Sequence, residues 1–525
     1  MLLRRPYVFC LALLVITGCT SPVRAPFVVT EAEAALEAAP AGPLASLERA
    51  IKVRADVEET AGHGNTEYSG FKLLDGSEEA LRWRLALIDS ATQSIDTQYF
   101  LYNGDSTGLI VTNHLLAAAD RGVRVRVLID DIATIAQGPS SQKLQESMAS
   151  VMIAHPNVSL RLFNSSPNRN ALGRGWDYAQ DFEQLNHRMH NKSLTVDNRA
   201  TIVGGRNIGD EYMGLDSHFN FHDIDVLGVG PIARQTSAVF DLFWNSGWAV
   251  YPNQTTREKS EAAAPAQRQA MVRELRRSEE LERFSLTARN WESELAALLP
   301  NMHLGNSEVL TDRPESDGIS NDLYEWLAAT LPRVEEELLV SNAYLIPEQD
   351  DITMLEALTA EGVEVVIHTN SLASHDVPAV NSHYKAWRKP LLQTGVALFE
   401  ARHDAEIKTS VVDTPPIAAT FMGLHSKSMV IDRRFSVVGS ANFDPRSAFL
   451  NSEMVAVIDS ESLAEELRQV IFRDIHPANS WEVQLDATGK LSWQNDVKTT
   501  QRQPARSGLQ RVADWFFMLF PKRYY

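Results

Sequence analysis

The sequence predicts an α/β protein of two similar units, each a mixed, mostly parallel sheet flanked by helices, related by a pseudo-twofold axis around one shared site. Three observations predict it. An eighteen-residue pattern occurs twice, as "HNKSLTVDNRATIVGGRN" from His190 and as "HSKSMVIDRRFSVVGSAN" from His425. Strand-like and helix-like stretches come in the same order before and after both copies. The chain has 525 residues, 44% hydrophobic and 22% charged, which is enough material for two such units.

In the first unit "QSIDTQYFLY" (93–102) reads as a strand, "GLIVTNHLLAAADRG" (108–122) as a helix and "VRVRVLIDD" (123–131) as a second strand. A helix over 141–153 and the strand "VSLRLF" (158–163) follow. In the second unit "EELLVSNAYLI", "DITMLEALTAEG", "VEVVIHTN", a helix across "VNSHYKAWRKPLLQTG" and the strand "VALFEA" repeat that order. After the doubled pattern come "DIDVLGVG" and the helix "PIARQTSAVFDLFWNS" in one unit, "EMVAVIDS" and "ESLAEELRQVIFRDI" in the other. Alternation of strands with helices is what makes parallel pairing the expectation.

These elements place the units at 66–250 and 307–480, with 251–306 as a linker. The linker run "RQAMVRELRRSEELERF" is either a solvated helix face or a substrate-facing element. Residues 481–525 hold a hairpin, "WEVQLDATGKLSW", and an aromatic tail, "LQRVADWFFMLFPKRYY". The tail is too short to span a bilayer. It suits either an interfacial element or an amphipathic helix packed on the domain.

The N-terminus reads as a leader over 1–18. Arg4 and Arg5 precede an apolar run, Tyr7 to Ile16, that is too short to span a bilayer. "ITGC" resembles the lipobox of bacterial lipoproteins, which implies acylation of Cys19 as the mature N-terminus; the alternative is a plain signal peptide with a chance cysteine. Residues 19–65, rich in Ala, Glu and Pro, read as a flexible or partly helical spacer. No later segment reaches about 20 apolar residues, so no internal transmembrane helix is expected. The expected location is the bacterial cell envelope, lipid-anchored and facing the periplasm; Thr20 rather than Asp after the cysteine favours the outer membrane, with the inner membrane as the alternative.

A net charge of −19 argues against bulk binding of nucleic acid, while leaving room for a small basic pocket. The doubled pattern reads as a hairpin, "SLTV"/"TIVG" and "SMVI"/"SVVG". Alternation along a strand sends His190 and Lys192 to one face, and likewise His425 and Lys427. Gly204, Gly205 and Gly439, followed by Ser440, let an anionic group approach the backbone. Asp197 and Asp432 fall at the turns, where a carboxylate bonds backbone amides, so they are expected to be structural.

A single HxK carries almost no information; two copies with matching Asp, Gly and Asn carry a great deal. On "RMHNKSLTVD", "GGRNIGDEY", "HTNSLASHDV", "LHSKSMVID" and "GSANFDPRS" the chain resembles the phospholipase D superfamily, whose HxKxxxxD motif occurs twice per active site. Within it the chain most resembles the cardiolipin synthases, and among them the C-type branch, over residues 66 to 500. The resemblance implies a phosphatidyltransferase acting on phospholipids, phosphatidylglycerol and also phosphatidylethanolamine, through a covalent phosphohistidine, with no cofactor or metal. It assigns His190 as nucleophile and His425 as general acid and then base.

The chemistry agrees. Attack on an anionic phosphodiester needs charge neutralisation and positioning, which Lys192, Lys427, Asn207 and Asn442 can supply. Each histidine also needs an acceptor on its other nitrogen. Asp223 and Glu453 match the family's supporting carboxylates, Asp225 is the competing choice, and a carboxylate that merely caps a strand end is the alternative to both. His218 and His222 have an i,i+4 spacing that would suit a metal on a helix, although their aromatic context favours a loop. Ser371, His375 and Asp376 follow a strand end, either as substrate contacts or as ordinary loop residues. Competing functions are a hydrolase releasing phosphatidic acid, a nuclease or other phosphodiesterase, and a non-catalytic membrane scaffold.

Overall fold

The computed structural model describes residues 32–59, 68–134, 138–166, 173–174, 176–177 and 182–519. In the first half the strands Ser94–Tyr99, Arg124–Asp130 and Val158–Phe163 pair in parallel, connected by helices Ser106–Asp120 and Pro139–Ala154. On the other side of Ser94–Tyr99 the order continues through the motif hairpin, Ser193–Val196 with Ala200–Gly204, then Asp225–Val229 and Ser69–Leu74. The second half repeats the plan. Glu337–Asn342, Glu364–Asn370 and Ala397–Ala401 pair in parallel, and the hairpin Lys427–Ile431 with Phe435–Gly439 leads to Met454–Asp459.

The expected α/β repeat is present, but antiparallel pairings dominate the sheet. Crossover helices separate only the first three strands of each half. The motif is itself a hairpin, and short connections return the chain antiparallel. The strand His303–Thr311, which straddles the expected linker boundary, pairs with Met454–Asp459 through residues 306–311 and with Ser69–Phe71 through 303–305. It thereby joins the two halves edge to edge. The late hairpin forms as expected, with Ser480–Leu485 extending the second sheet beside Ala397–Ala401 and Leu491–Gln494 following.

Helices Pro231–Trp244 and Glu461–Asp474 lie at the centre. Ile232, Phe240 and Trp244 of one, and Leu463, Leu467 and Ile471 of the other, share a single core with the sheets of both halves. Each fully buried side chain of this kind contributes about 1.5–3 kcal/mol, so this core holds the halves together as one body. The stretch 380–395 forms two short helices, Pro378–Tyr384 and Arg388–Gln393, instead of one.

In its described part the stretch 19–65 takes the partly helical form, and it is packed on the first half. Pro43–Glu59 is a helix whose Leu44, Leu47 and Ile51 enter the first-half core. The extended residues before it also dock: Ala39 N–H donates to the Asp197 carbonyl, and Glu33 pairs with Arg161. The leader over 1–18 and Cys19 lie outside the described residues. In the linker, Gln254–Leu275 is a largely exposed helix packed on Pro139–Ala154. No helix among the described residues is long and apolar enough to cross a membrane.

Candidate active site

Each motif histidine is held from the opposite half. Arg188–Met189 pairs in parallel with Asn451–Ser452, and Phe219–His222 with Phe421–Leu424. His190 N–H donates to the Ser452 carbonyl at 2.9 Å, and His425 N–H to the His222 carbonyl at 2.7 Å. The next residue after each accepting carbonyl is the supporting carboxylate. His190 Nδ1 lies 2.8 Å from Glu453 Oε2, and His425 Nδ1 lies 2.5 Å from Asp223 Oδ2. The two dyads therefore cross between halves, and Nε2 of each imidazole is left to face substrate. The histidines are 6% and 5% exposed, enough for their edges to be reached, while both carboxylates are sealed behind them.

Asp225, the competing acceptor, is occupied elsewhere: Arg84 Nη2 and Arg206 Nη1 donate to it at 3.0 and 3.1 Å. Asp197 and Asp432 take the structural role expected of them. Asp197 accepts from the backbone N–H groups of Thr92, Gln93 and Ser94, and Asp432 from those of Glu335, Glu336 and Glu337. Each carboxylate thus pins the entry of the strand that pairs with its own hairpin.

The motif glycines make room for the protein's own groups. A Cβ on Gly204 would stand 2.1 Å from Asp225 Oδ1, and on Gly205 2.3 Å from Asp223 Oδ1. On Gly439 it would meet the Met454 carbonyl at 2.2 Å. At Gly204 and Gly205 the group that comes close is the protein's own carboxylate, and at Gly439 it is a backbone carbonyl. Gly205→Ala is therefore expected to push Asp223 off His425 and lower kcat by roughly 10²-fold with little change in KM, as steady-state kinetics on a soluble phosphodiester would show.

Lys192 and Lys427 are buried, and neither forms an ion pair among the described residues. Lys192 Nζ donates to the His190 carbonyl at 2.6 Å, and Lys427 Nζ to that of His425, which leaves further donors on each ammonium. Burial holds Lys192 well below the usual lysine range and brings Lys427 down to about 8 against the opposing charge of Asp223. Two buried ammonium groups that repel each other and form no ion pair among the described residues make a site that a bound anion would complete. Asn207 Oδ1 accepts from Leu101 N–H at 3.1 Å and its side chain bonds the Tyr212 hydroxyl. The Asn442 side-chain oxygen is buried with no partner among the described residues.

The dyads differ in charge. Ser440 and Ser447 hydroxyls donate to Glu453 at 2.6 and 2.7 Å, yet burial still raises Glu453 to about 7. Asp223 has Gly205 where the other half has Ser440, and despite burial the His425 charge holds it below the usual carboxylate range. Burial, Lys192 and Lys427 push His190 well below the ordinary histidine range. Burial and Lys427 lower His425 as well, but Asp223 opposes them. One histidine is kept neutral, and the other sits on a firmly ionised carboxylate.

Several residues the sequence reading passed over complete the site. Asp130 Oδ2 accepts from Met189 N–H at 2.8 Å and Asn370 Oδ1 from Leu424 N–H at 3.0 Å, so each clamps the residue before a motif histidine. Both end the middle of the three parallel strands of their half, a signal that aligning "LIDD" with "HTNS" would have revealed. Asp312 accepts from Glu453 N–H at 2.9 Å.

Aromatic rings close the walls. Phe100 meets His190 edge-on at 4.8 Å, and Tyr212 and Phe221 lie 5.2 and 4.9 Å from His425. His375 stacks on Tyr344 at 5.4 Å, and the Tyr344 hydroxyl donates to Asp376 at 2.7 Å; Ser371 is buried against the Ala401 carbonyl. His222 lies on a strand rather than a loop and bonds Asp75 at 2.8 Å, whereas His218 is exposed, so the two do not form a pair.

Residues 85–244 and 327–475 match the family described as "Cardiolipin synthase, PLD-like domain". The chain is 32% identical over 459 residues to cardiolipin synthase C of Escherichia coli strain K12, covering 84% of this chain and 92% of that protein. It is 24% identical to cardiolipin synthase 1 of Bacillus anthracis, over 85% of this chain and 74% of that one. The fold is shared with the crystal structure of phosphatidylserine synthase from Haemophilus influenzae Rd KW20, at a TM-score of 0.53 and 13% identity, over 81% of this chain and 91% of that chain. The chain belongs to the cardiolipin synthase family of phospholipase D-like phosphatidyltransferases.

Proposed function

We propose that this protein transfers a phosphatidyl group from one phospholipid to an alcohol of another, making cardiolipin from phosphatidylglycerol through a phosphohistidine. The observation that carries this reading is the pair of crossed dyads beside two buried ammonium groups that form no ion pair among the described residues. Neutral His190 attacks phosphorus through Nε2. The P–O bond to glycerol breaks, and His425 gives its proton to the departing oxygen. A hydroxyl of a second phosphatidylglycerol then gives its proton to His425 and attacks phosphorus, forming the new P–O bond as the P–N bond breaks and His190 is freed. Lys192, Lys427, Asn207 and Asn442 hold the phosphoryl oxygens throughout. The charge asymmetry supports this order: His190 is held neutral, as a nucleophile must be, while the ionised Asp223 opposes loss of the His425 proton.

An acylated Cys19 would hold this site beside its substrate at the periplasmic face of the envelope. Purified protein given labelled phosphatidylglycerol is expected to release one glycerol for each cardiolipin formed, as read by thin-layer chromatography and mass spectrometry. Phosphatidic acid as the sole product would assign water as the acceptor instead. Phosphatidylethanolamine in place of the donor tests the leaving group, with ethanolamine as the released alcohol.

A further inference from the structure

The C-terminal helix Gly508–Phe517 is docked the wrong way round for an ordinary amphipathic helix. Its polar side faces the protein. Asp514, 6% exposed, accepts from Asn381 Nδ2 at 2.6 Å and pairs with Lys385 at 2.8 Å. Gln510 donates to the Leu372 carbonyl, and Arg506, just before the helix, donates to the His375 carbonyl at 3.1 Å. The apolar side faces out: Leu509, Trp515 and Leu519 are 82%, 60% and 67% exposed, with Val512 and Phe516 also exposed. These side chains line one stripe at spacings of three and four residues. Because the polar face is already consumed by buried bonds, the apolar stripe has no way to turn inward.

We infer that this stripe lies in the surface of a phospholipid bilayer and fixes the mouth of the active site against it on the His425 side. The position supports that occupant. The carbonyls that hold the helix belong to the 371–376 loop, whose His375 and Asp376 engage Tyr344, and the Tyr344 ring meets His425 edge-on at 6.4 Å. The composition supports it as well, since Trp, Phe and Leu on one face are what a helix lying in the interface carries. Charge completes the case. The sequence continues into Lys522 and Arg523, while the chain as a whole carries −19 and is otherwise repelled by anionic lipid. A ten-residue helix is about 15 Å long, enough to cover the width of a lipid headgroup or two beside the site. The inference rests on the phosphatidyl-transfer reading for its substrate, but not for its measurement.

The test uses the full chain reconstituted into vesicles of phosphatidylglycerol and phosphatidylethanolamine, compared with a Leu509→Ser, Val512→Ser, Leu519→Ser variant. Turnover of vesicle lipid is expected to fall roughly tenfold or more in the variant, while turnover of a soluble short-chain phosphodiester stays unchanged. Lipids brominated near the headgroup are expected to quench a fluorescence component that disappears in Trp515→Phe. Equal vesicle turnover and no Trp515-dependent quenching overturn the inference. A variant that changes sedimentation mass without changing either lipid readout assigns the stripe to a second copy and overturns it too. If the soluble phosphodiester is not turned over even by the unaltered chain, the transferase reading falls, while the quenching result still decides where the helix lies.

Discussion

His190→Ala is expected to lower kcat by about 10⁴-fold or more and to abolish any covalent label from a phosphodiester substrate. His425→Ala is expected to cost as much in steady state but to behave differently in a single turnover. With a substrate whose leaving group needs no protonation, such as a nitrophenyl ester, the first bond still breaks. The phosphoryl group then stays on His190, because no base remains to activate the acceptor. The measurement is acid-labile, base-stable label on the denatured protein, mapped to the peptide holding His190. Label on the His425 peptide instead would reverse the assignment. Full activity in either variant would remove the shared site.

Asp223→Asn is expected to lower kcat by about 10²- to 10⁴-fold, and Glu453→Gln by about tenfold. The difference follows from charge. Asp223 is held ionised, so its loss strips His425 of a stabilising charge; Glu453, raised to about 7, is already partly protonated and gives up less. His425 acts first as the proton donor, so kcat/KM declines as pH rises through its pKa. Asp223 raises that pKa against burial and Lys427, and removing its charge lowers it. The alkaline limb should therefore move to lower pH, by about one to two units. No movement of that limb in Asp223→Asn, measured on a soluble phosphodiester, would mean that His425 does not set it. Equal losses in the two variants would show that the dyads are equivalent.

The reason this asymmetry escaped the sequence lies in where the repeat breaks. The doubled pattern aligns His with His, Lys with Lys and Asp with Asp. It also aligns Gly205 with Ser440, and beyond the pattern Tyr212 with Ser447. A substitution of Gly for Ser reads as background variation in a string of letters. In three dimensions it decides whether a carboxylate receives a hydroxyl donor or a close backbone. The glycines were legible as places of close approach, but the identity of the approaching group was not. Asp223 reaches Gly205 from eighteen residues along the chain, and only the strand pairing Gly204↔Asp225 brings them together.

Much of the local structure was legible. The strands around the motifs and the helices between them fall close to where periodicity places them, since local apolar spacing determines the face each element must bury. Parallel pairing was overstated because periodicity identifies strands without stating which strand lies beside which. The helix Pro43–Glu59 was underestimated for a related reason. Its few apolar residues form a weak stripe by sequence, and it is the waiting first-half core that makes the stripe matter.

By itself the sequence determined the duplication and the chemical groups it carries: two imidazoles, two ammonium groups, and the carboxylates that must support them. Those follow from residue identity and spacing within some thirty positions. Only the tertiary structure decided the partnerships. His190 finds its carboxylate 263 residues away and His425 finds its own 202 residues away, each in the opposite half. It also decided that both lysines are buried with no ion pair among the described residues and that the terminal helix turns its apolar face outward. Which groups meet, and which are cut off from water, depends on how two sheets join at the strands Ser69–Leu74 and His303–Thr311. That edge contact is long-range, and no local pattern encodes it.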